Sequence, residues 1–487
     1  MKNKLFPELG IILLISLIYL LTRIQNLTTL PVFGDEAIYL RWSQIIKSVD
    51  TLRFIPVTDG KQPLFMWVTV VFFKFFSDPL LSGRLLSVFS GLLNLLSLYF
   101  IGRLFFSKKV AILTSFIYLF IPFTFFFDRL SLPDNLLSAF GSLSLLFSIL
   151  LAKYPRLDLA MILGIILGLA WLTKSPAIYF ITLSLFTFIL YNPKNLKKIY
   201  FPLVSVAFSF IIYNILRLGP QFSQINIRNR DYVWGITDIL SHPLDPFIPH
   251  LRDLIALYIQ YISIPLLIVS LLGFYIYRQK INQKLTLIIF SWWILPLIAN
   301  MAIAKVFTGR YILFTLPPLI LIIASGLSQF KLTLSKTLII LAILCIPGLI
   351  FIFKLSQTPF NAKLYSTESG YVSSWTSGWG IREVSSYLIE RSKSANVIVG
   401  TEGYFGTLPD GLQIYTNQIP QLTVFGVGLD LTSIPEKLTD ARNHGDEVYM
   451  LFNSSRLKLT PHDSSLVAKV SSYPKPDGDE LLLLKLN

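Results

Sequence analysis

Long apolar runs alternate with short polar segments over the first 354 residues of the chain. Runs of about 17–25 apolar residues have the length that a helix needs to cross the hydrocarbon core of a bilayer. The pattern predicts about eleven membrane-spanning helices, at residues 9–25, 83–105, 110–127, 135–152, 158–173, 177–192, 199–216, 253–277, 285–304, 311–328 and 337–354. The predicted fold is therefore that of a polytopic α-helical membrane protein.

The segment between the first two predicted spans, residues 26–81, has a mixed pattern. Its apolar residues recur at helical spacing among polar ones: Ile38, Trp42, Ile45 and Val49. This spacing predicts an amphipathic helix over 36–48 that lies in the membrane interface, with Asp35 or Gly34 as its cap. A second short helix, rich in aromatic residues, is predicted over 64–76.

From about residue 355 glycine, serine, proline and charged residues return. Short apolar runs predict buried strands, and helical patterns lie among them: strands at 397–399, 422–425, 448–452 and 481–484, helices at 381–393 and 433–443. Strands that alternate with helices predict a small α/β domain. We therefore divide the chain into a transmembrane domain over 1–354 and an α/β domain over 355–487.

Composition and charge agree with a membrane protein. The chain is 53% hydrophobic and 14% charged, with a mean hydropathy of +0.63 and a net charge of +15. Lysine and arginine lie mostly in short loops between apolar runs, where they set the topology, so we predict no nucleic-acid partner. The one cysteine, Cys345, lies in an apolar run and excludes an intrachain disulfide or a cysteine metal site.

The same charges predict an orientation. Lys2 and Lys4 precede the first span, which places the N-terminus in the cytoplasm. An odd number of spans then places the α/β domain outside. The predicted location is a multi-pass position in the cell membrane, inner or plasma, in contact with membrane lipids.

Charged residues gather at the predicted external ends of the spans: Asp35, Glu36, Lys61, Arg84, Arg129, Asp134, Lys174, Lys305 and Arg310. A carboxylate can take a proton from an incoming hydroxyl or amine, and cations can neutralise a leaving phosphate. Several of these charged residues also have a purely structural interpretation. Asp35 can be a helix cap, each arginine an interfacial anchor, and Lys174-Ser175-Pro176 a turn between two spans.

Six short motifs follow one another along the chain: Asp35-Glu36-Ala37-x-Tyr39, Lys61-Gln62-Pro63-Leu64-x-x-Trp67, Ser82-Gly83-Arg84-Leu85, Arg129-Leu130-Ser131-x-x-Asp134, Leu172-Thr173-Lys174-Ser175-Pro176, and Arg310-Tyr311 followed by Pro317-Pro318. In this order they resemble the GT-C superfamily of polyprenyl-phosphate-sugar glycosyltransferases. The resemblance covers about residues 8–330. Among the branches of the superfamily, it is to the bacterial relatives of protein O-mannosyltransferases and to the aminoarabinose transferases.

The resemblance implies roles for particular residues. Asp35 matches the acid of the first external loop and would deprotonate the acceptor, while Glu36 would shape the site or share the acidic role. Tyr39 and Lys61 match positions that contact the phosphate of the donor. Further candidates for binding phosphate or sugar are Arg129, Lys174 and Arg310.

Two positions depart from the family pattern. Ile38 stands where the aminoarabinose branch has an arginine, so one phosphate contact is missing or comes from elsewhere. Gln62 stands where the usual motif has proline, and glutamine has a freer backbone. The sugar therefore stays open.

The resemblance implies a membrane glycosyltransferase that moves a sugar from a polyprenyl-phosphate donor to a lipid, glycan or protein acceptor, with inversion. No cofactor is required, and Asp35 with Glu36 offers too few ligands to predict a divalent metal, although the two carboxylates could share a bridging cation. Two alternatives remain: a transporter or flippase for lipid-linked sugars, and a non-catalytic glycan-binding membrane protein. The first would place ionisable residues near the middle of the spans, where the sequence has almost none.

Overall fold

The structure, a computed structural model, describes residues 2–194, 196–277 and 282–487. The chain forms two compact units that do not coincide with the predicted division at 354/355. The membrane unit comprises Met1–Gln25, Thr51–Val68 and Arg84–Phe353. The α/β unit comprises Asn26–Asp50, Thr69–Gly83 and Lys354–Asn487. The assignment of residues 1–354 and 355–487 to two functional domains stays a prediction.

The α-helices that precede the sheet are, in chain order, α1 (Lys2–Ile24), α2 (Gly34–Ser48), α3 (Leu64–Phe72), α4 (Pro79–Phe105), α5 (Lys108–Phe120), α6 (Pro122–Phe127), α7 (Pro133–Lys153), α8 (Leu157–Thr173), α9 (Ile178–Tyr191), α10 (Tyr200–Tyr213), α11 (Gln224–Tyr232), α12 (Ile236–Ser241), α13 (Phe247–Tyr261), α14 (Ile264–Tyr277), α15 (Gln283–Ile303), α16 (Gly309–Ile312), α17 (Leu316–Ser328) and α18 (Leu334–Gln357). The short helices α2 and α3 confirm the two helices predicted between the first spans, although α3 is shorter than predicted.

In the described part of the chain, six helical segments are long and apolar enough to cross a membrane: Pro79–Phe105, Pro133–Lys153, Leu196–Leu218, Gln283–Ile303, Gly309–Ser328 and Leu334–Gln357. A seventh span would count α13 and α14 together, and α8 and the segment Ser175–Tyr191 are shorter apolar helices. The predicted number of eleven spans stays a prediction, as does the orientation. The side chains of Lys2 and Lys4, which carry the orientation argument, lie outside the described residues.

Two predicted spans are broken in the structure. The run 110–127 is divided between α5 and α6, because Pro122 follows Ile121 and keeps that residue extended, at φ −83° and ψ 137°. The run 253–277 is divided between α13 and α14, which meet at an angle of 100°. Ser263, at the junction, has a φ of 92°, a conformation that a helix does not continue through.

The membrane unit packs its helices closely where small residues allow it. A Cβ on Gly164 of α8 would come within 2.8 Å of the Ser205 carbonyl oxygen of α10. The Ser205 hydroxyl donates to the Ala160 carbonyl of α8 at 2.8 Å. Small residues that bring two helix backbones together, with a hydroxyl bridging them, are typical of helix packing in membranes.

The α/β unit contains a five-stranded mixed sheet of strand order β2-β1-β3-β5-β4. Its elements are α19 (Ile381–Ser392), β1 (Val397–Glu402), α20 (Asp410–Thr416), β2 (Leu422–Gly428), α21 (Glu436–Asn443), β3 (Glu447–Asn453), α22 (Pro461–Ser465), β4 (Val467–Pro474) and β5 (Glu480–Leu486). Strands β2, β1 and β3 run parallel, and β5 pairs antiparallel with β3 and β4. The four predicted strands and both predicted helices are confirmed, and β4 was not predicted.

Helix α2 packs within the α/β unit. Ala37 and Leu40 are fully buried in the same apolar cluster as Val399 of β1 and Leu412 of α20. The predicted apolar side of α2 comprises other residues, Ile38, Trp42, Ile45 and Val49, of which Val49 is 40% exposed, so its place in the membrane interface stays a prediction. The predicted cap is wrong: neither Asp35 nor Gly34 caps the helix, because the residue that precedes it is Phe33.

Candidate functional site

Lys61 is held in the membrane unit by a tyrosine. It follows a 3₁₀ turn and Gly60, whose φ is +70° and whose Cβ position lies 2.5 Å from the Arg228 Cβ, so glycine is required there. The Lys61 ammonium donates to the Tyr232 hydroxyl at 2.6 Å and lies 4.2 Å from the centre of the same ring. The tyrosine therefore fixes the lysine through both its hydroxyl and its ring face.

Tyr232, the last residue of α11, is not among the site residues predicted from the sequence. Its neighbour Arg228 forms an ion pair with Asp59 at 2.7 Å and so ties α11 to the turn before Lys61. The side chains of Val57 and Ile225 pack in one apolar cluster, which joins the same two segments. The partner of Lys61 thus comes from a helix 171 positions away. In the sequence, this tyrosine was visible only as an aromatic residue among charged ones.

Lys174 follows the last turn of α8, where the backbone becomes extended at φ −164°. Its ammonium bonds to the Asp134 carboxylate at 2.6 Å and lies 4.4 Å from the centre of the Tyr311 ring. The Arg310 guanidinium lies 4.9 Å from the centre of the same ring and donates to its hydroxyl at 3.3 Å. Tyr311 therefore brings together two of the predicted phosphate-binding cations, Lys174 and Arg310.

The residues next to the two lysines are also joined. The Gln62 side-chain amide donates to the Ser175 hydroxyl at 2.7 Å, and that hydroxyl donates to the Asn229 side-chain oxygen at 3.3 Å. Asn229 lies in α11 with Tyr232. Lys61 and Lys174 therefore belong to one connected polar cluster of the membrane unit.

Arg129 lies in a second cationic region of the membrane unit. It is 6% exposed, and its guanidinium donates to the carbonyls of Arg23 and Gln25, at 3.1 and 2.7 Å, at the end of α1. Burial lowers the pKa of Arg129 to about 9, and the nearby Arg84 and Arg23 lower it further in the same direction. The buried carboxylate of Asp128 lies 3.6 Å from the Arg23 guanidinium and offsets part of the positive charge of this region.

The predicted acidic residues belong to the α/β unit, in the first turn of α2. Glu36 is fully buried, and its carboxylate accepts a hydrogen bond from the Phe33 backbone N–H at 3.0 Å. Glu36 thus satisfies one of the backbone donors at the start of the helix. Asp35 is only partly buried, and Tyr39 is 6% exposed with its ring 5.9 Å from that of Trp42.

The start of α2 is fixed to the remainder of the α/β unit. The Gly34 N–H donates to the Thr376 carbonyl at 3.0 Å, and the Thr407 hydroxyl donates to the same carbonyl at 3.0 Å. A Cβ on Gly34 would lie 2.9 Å from the Thr407 hydroxyl oxygen, so a larger residue there would push the helix away. The orientation of Asp35 is thereby set by residues of the C-terminal part of the chain.

Within residues 2–194, 196–277 and 282–487, no three side chains of histidine, cysteine, aspartate or glutamate form a group that could hold a metal ion. The buried carboxylate of Glu36 accepts the Phe33 N–H and so has a structural contact, whereas Asp35 is partly exposed and can be reached from solvent.

Comparison with known proteins supports the resemblance drawn from the motifs. Residues 60–216 match the family described as dolichyl-phosphate-mannose-protein mannosyltransferase. Lys61, Arg129 and Lys174 lie inside this range. No curated protein matches the chain in sequence.

The fold is similar to those of two solved proteins. ArnT from Cupriavidus metallidurans in the apo state has a TM-score of 0.58 at 16% identity, over 98% of each chain. ArnT bound to undecaprenyl phosphate gives 0.56 at 15%, over 99% of this chain and 98% of that one. The oligosaccharyltransferase AglB from Archaeoglobus fulgidus, in complex with an inhibitory peptide and a dolichol-phosphate, gives 0.53 at 12%, over 93% of this chain and 70% of that one. The predicted resemblance to the GT-C superfamily is confirmed.

Proposed function

We propose that this chain, which has the GT-C fold, is a glycosyltransferase that moves a sugar from a polyprenyl-phosphate donor to an acceptor at the external face of the membrane. The observation that carries the proposal is the polar cluster around Lys61 and Lys174. Two lysines and Arg310 each contact a tyrosine there within one unit of the chain, and Lys174 also pairs with the Asp134 carboxylate. Clustered cations of this kind suit a phosphate, and ArnT has been solved with undecaprenyl phosphate bound.

The proposed reaction is a single in-line displacement. Asp35 takes the proton of the acceptor's hydroxyl or amine while the acceptor atom forms a bond to the anomeric carbon of the sugar. The bond between that carbon and the phosphate oxygen breaks, and the electron pair leaves with polyprenyl phosphate. Attack opposite the leaving group inverts the configuration of the anomeric carbon.

The cations accelerate this step by stabilising the negative charge that grows on the leaving phosphate. Lys61 is the first candidate, with Lys174, Arg310 and Arg129 as further phosphate or sugar ligands and Tyr39 as a further contact. A preorganised cation in a partly dry site lowers such a barrier by about 3 kcal/mol. The tyrosines at Lys61 and Lys174 contribute because they hold the ammonium groups in place before the donor arrives.

The proposal specifies the class of the donor, a polyprenyl-phosphate sugar, but not the class of the acceptor. Ile38 cannot supply the phosphate contact that arginine gives the aminoarabinose branch, so the proposal names no particular sugar. The acceptor stays open among a lipid, a glycan and a protein hydroxyl. The proposal places the enzyme as a multi-pass protein of the inner or plasma membrane, with no cofactor required.

Incubation of the purified protein with a radiolabelled polyprenyl-phosphate sugar tests the proposal. We expect release of polyprenyl phosphate and appearance of the label on an acceptor from the cell envelope, with the opposite anomeric configuration. Movement of intact donor across a vesicle membrane without release would instead support a flippase. Binding of glycan with neither release nor movement would support a non-catalytic binding protein.

A further inference from the structure

Gln62 and Ser175 lie next to Lys61 and Lys174, the two lysines of the polar cluster. Gln62 is 4% exposed, and its side-chain amide donates to the Ser175 hydroxyl at 2.7 Å. A buried amide of this kind must be hydrogen-bonded, because an unpaired one loses its water without compensation. The contact therefore constrains both side chains at once.

The Ser175 hydroxyl acts as acceptor and donor in the same chain of bonds. It accepts from Gln62 and donates to the Asn229 side-chain oxygen at 3.3 Å. Asn229 and Tyr232 are three residues apart in α11 and so lie on the same side of that helix. Tyr232 in turn accepts from Lys61 at 2.6 Å, which closes a ring of contacts through three segments of the chain.

We propose that Gln62, Ser175 and Asn229 form a hydrogen-bonded relay that positions Lys61 and Lys174 for the phosphate of the lipid donor. The inference rests on the proposed function and adds three positioning residues to it. The bond between Gln62 and Ser175 joins the residue after Lys61 to the residue after Lys174, so it restrains the two backbone segments that carry the lysines. A phosphate that binds both lysines then finds them already placed, which lowers the ordering cost of binding.

One residue of this contact, Gln62, occupies a position where the chain departs from the family pattern, because it stands in place of proline. Proline restricts the backbone by itself, whereas glutamine does not. The bond to Ser175 restrains the Gln62 side chain instead.

The interactions that hold the three segments together do not include the relay. Val57, Leu172 and Ile225 form an apolar cluster that joins the same three segments, and the ion pair of Asp59 with Arg228 adds to it. Loss of the relay should therefore leave the fold intact and alter the position of the lysines. This distinguishes a positioning role from a role in stability alone.

A double-mutant cycle on donor binding tests the relay. The probe is undecaprenyl phosphate in nanodiscs, and the proteins are the wild type, Gln62→Met, Ser175→Ala and the double variant. Gln62→Met keeps the volume of the side chain and removes the amide. We expect each single variant to bind about 5- to 10-fold more weakly, and the double variant to be no weaker than the worse single one, because both changes break one contact.

The control variant is Ser241→Ala, whose hydroxyl bonds the Thr237 carbonyl one turn earlier in the exposed helix α12. It should bind like the wild type, and all variants should melt within a few degrees of one another. Losses that multiply in the double variant, or unchanged affinity in both single variants, would overturn the relay. A wild type that does not bind undecaprenyl phosphate would contradict the proposed function itself and the relay with it.

Discussion

At the scale of single residues, both lysines of the polar cluster contact a tyrosine. Lys61 contacts Tyr232 through hydroxyl and ring, and Lys174 lies over the ring of Tyr311. A flexible lysine loses much side-chain entropy when it is fixed, and the tyrosine contact makes that cost part of folding rather than of donor binding. The affinity for phosphate should then depend on the tyrosines as well as on the lysines.

Replacement of Tyr232 with phenylalanine tests this dependence. The Tyr232→Phe variant loses the 2.6 Å hydrogen bond to Lys61 and keeps the ring face, so we expect undecaprenyl phosphate to bind about 3- to 10-fold more weakly. Tyr232→Ala should bind more weakly still. Tyr404→Phe, at a tyrosine that is 74% exposed in the α/β unit, is the matched control. Equal affinity in Tyr232→Phe and wild type would show that the Tyr232 hydroxyl does not contribute to donor binding.

Glu36 offers a second prediction at this scale. Its carboxylate accepts from the Phe33 N–H, so Glu36→Ala should remove about 1 kcal/mol from the local stability of the start of α2. Hydrogen exchange at the Phe33 amide should then accelerate about 5-fold, while Glu36→Gln, which keeps an acceptor, should change it less. Unaltered exchange in the alanine variant would show that the bond contributes nothing.

The sequence predicted the charged residues of the cluster but not their partners. Lys61, Lys174 and Arg310 were recognisable because short motifs contain them. Tyr232 was not, because a contact across 171 positions leaves no periodic or motif signal. The same holds for the bond between Gln62 and Ser175, whose two ends are 113 positions apart.

At the scale of elements, α2 links the predicted acidic residues to the C-terminal part of the chain. Apolar spacing correctly predicted a helix over these residues, since helical periodicity depends on local sequence. Its neighbours could not be predicted, because spacing identifies a face and not what covers it. Ala37 and Leu40 pack beside α20 and the sheet.

Asp410, in the first turn of α20, makes the stability of the α/β unit depend on pH. Burial raises the pKa of Asp410 from 3.8 to about 6, although the Gly406 N–H and the Arg41 guanidinium favour the ionised form. The native carboxyl therefore binds a proton that the unfolded one does not between pH 6 and pH 4. The α/β unit should become more stable as the pH falls through that window, and the ionised form should cost about 3 kcal/mol at pH 7.

The variant Asp410→Asn tests this sign. It keeps an oxygen for the Gly406 N–H and has no charge to bury, so the α/β unit should be more stable than in the wild type at pH 7.5. The difference should shrink towards pH 4.5. Hydrogen exchange of the β1 amides at both pH values measures it. Greater stability of the wild type at pH 7.5 would contradict the raised pKa.

At the scale of the whole molecule, hydropathy predicted the membrane class and the separate α/β sheet. It predicted continuous spans where the structure has breaks, because an average over 18 or more residues does not register one Pro122 or a positive φ at Ser263. Strand β4 was missed for a different reason. It lies at the edge of the sheet and is mostly exposed, so its sequence lacks the apolar run of a buried strand.

The predicted orientation can be tested on whole cells. Cys345 is 3% exposed, so the wild type gives little background with a membrane-impermeant maleimide. A cysteine introduced by Ser464→Cys in the exposed helix α22 should be labelled in intact cells if the α/β unit is external. Labelling only after the cells are opened would place that unit in the cytoplasm and reverse the proposed topology.

The most direct measurement of the central claim separates turnover from donor binding in the Asp35→Asn variant. Asp35 is proposed to take the acceptor's proton, and Lys61 to bind the donor's phosphate. Asp35→Asn should therefore lose about 100-fold or more in turnover and bind undecaprenyl phosphate like the wild type, whereas Lys61→Ala should lose both. Full turnover in Asp35→Asn would contradict the account.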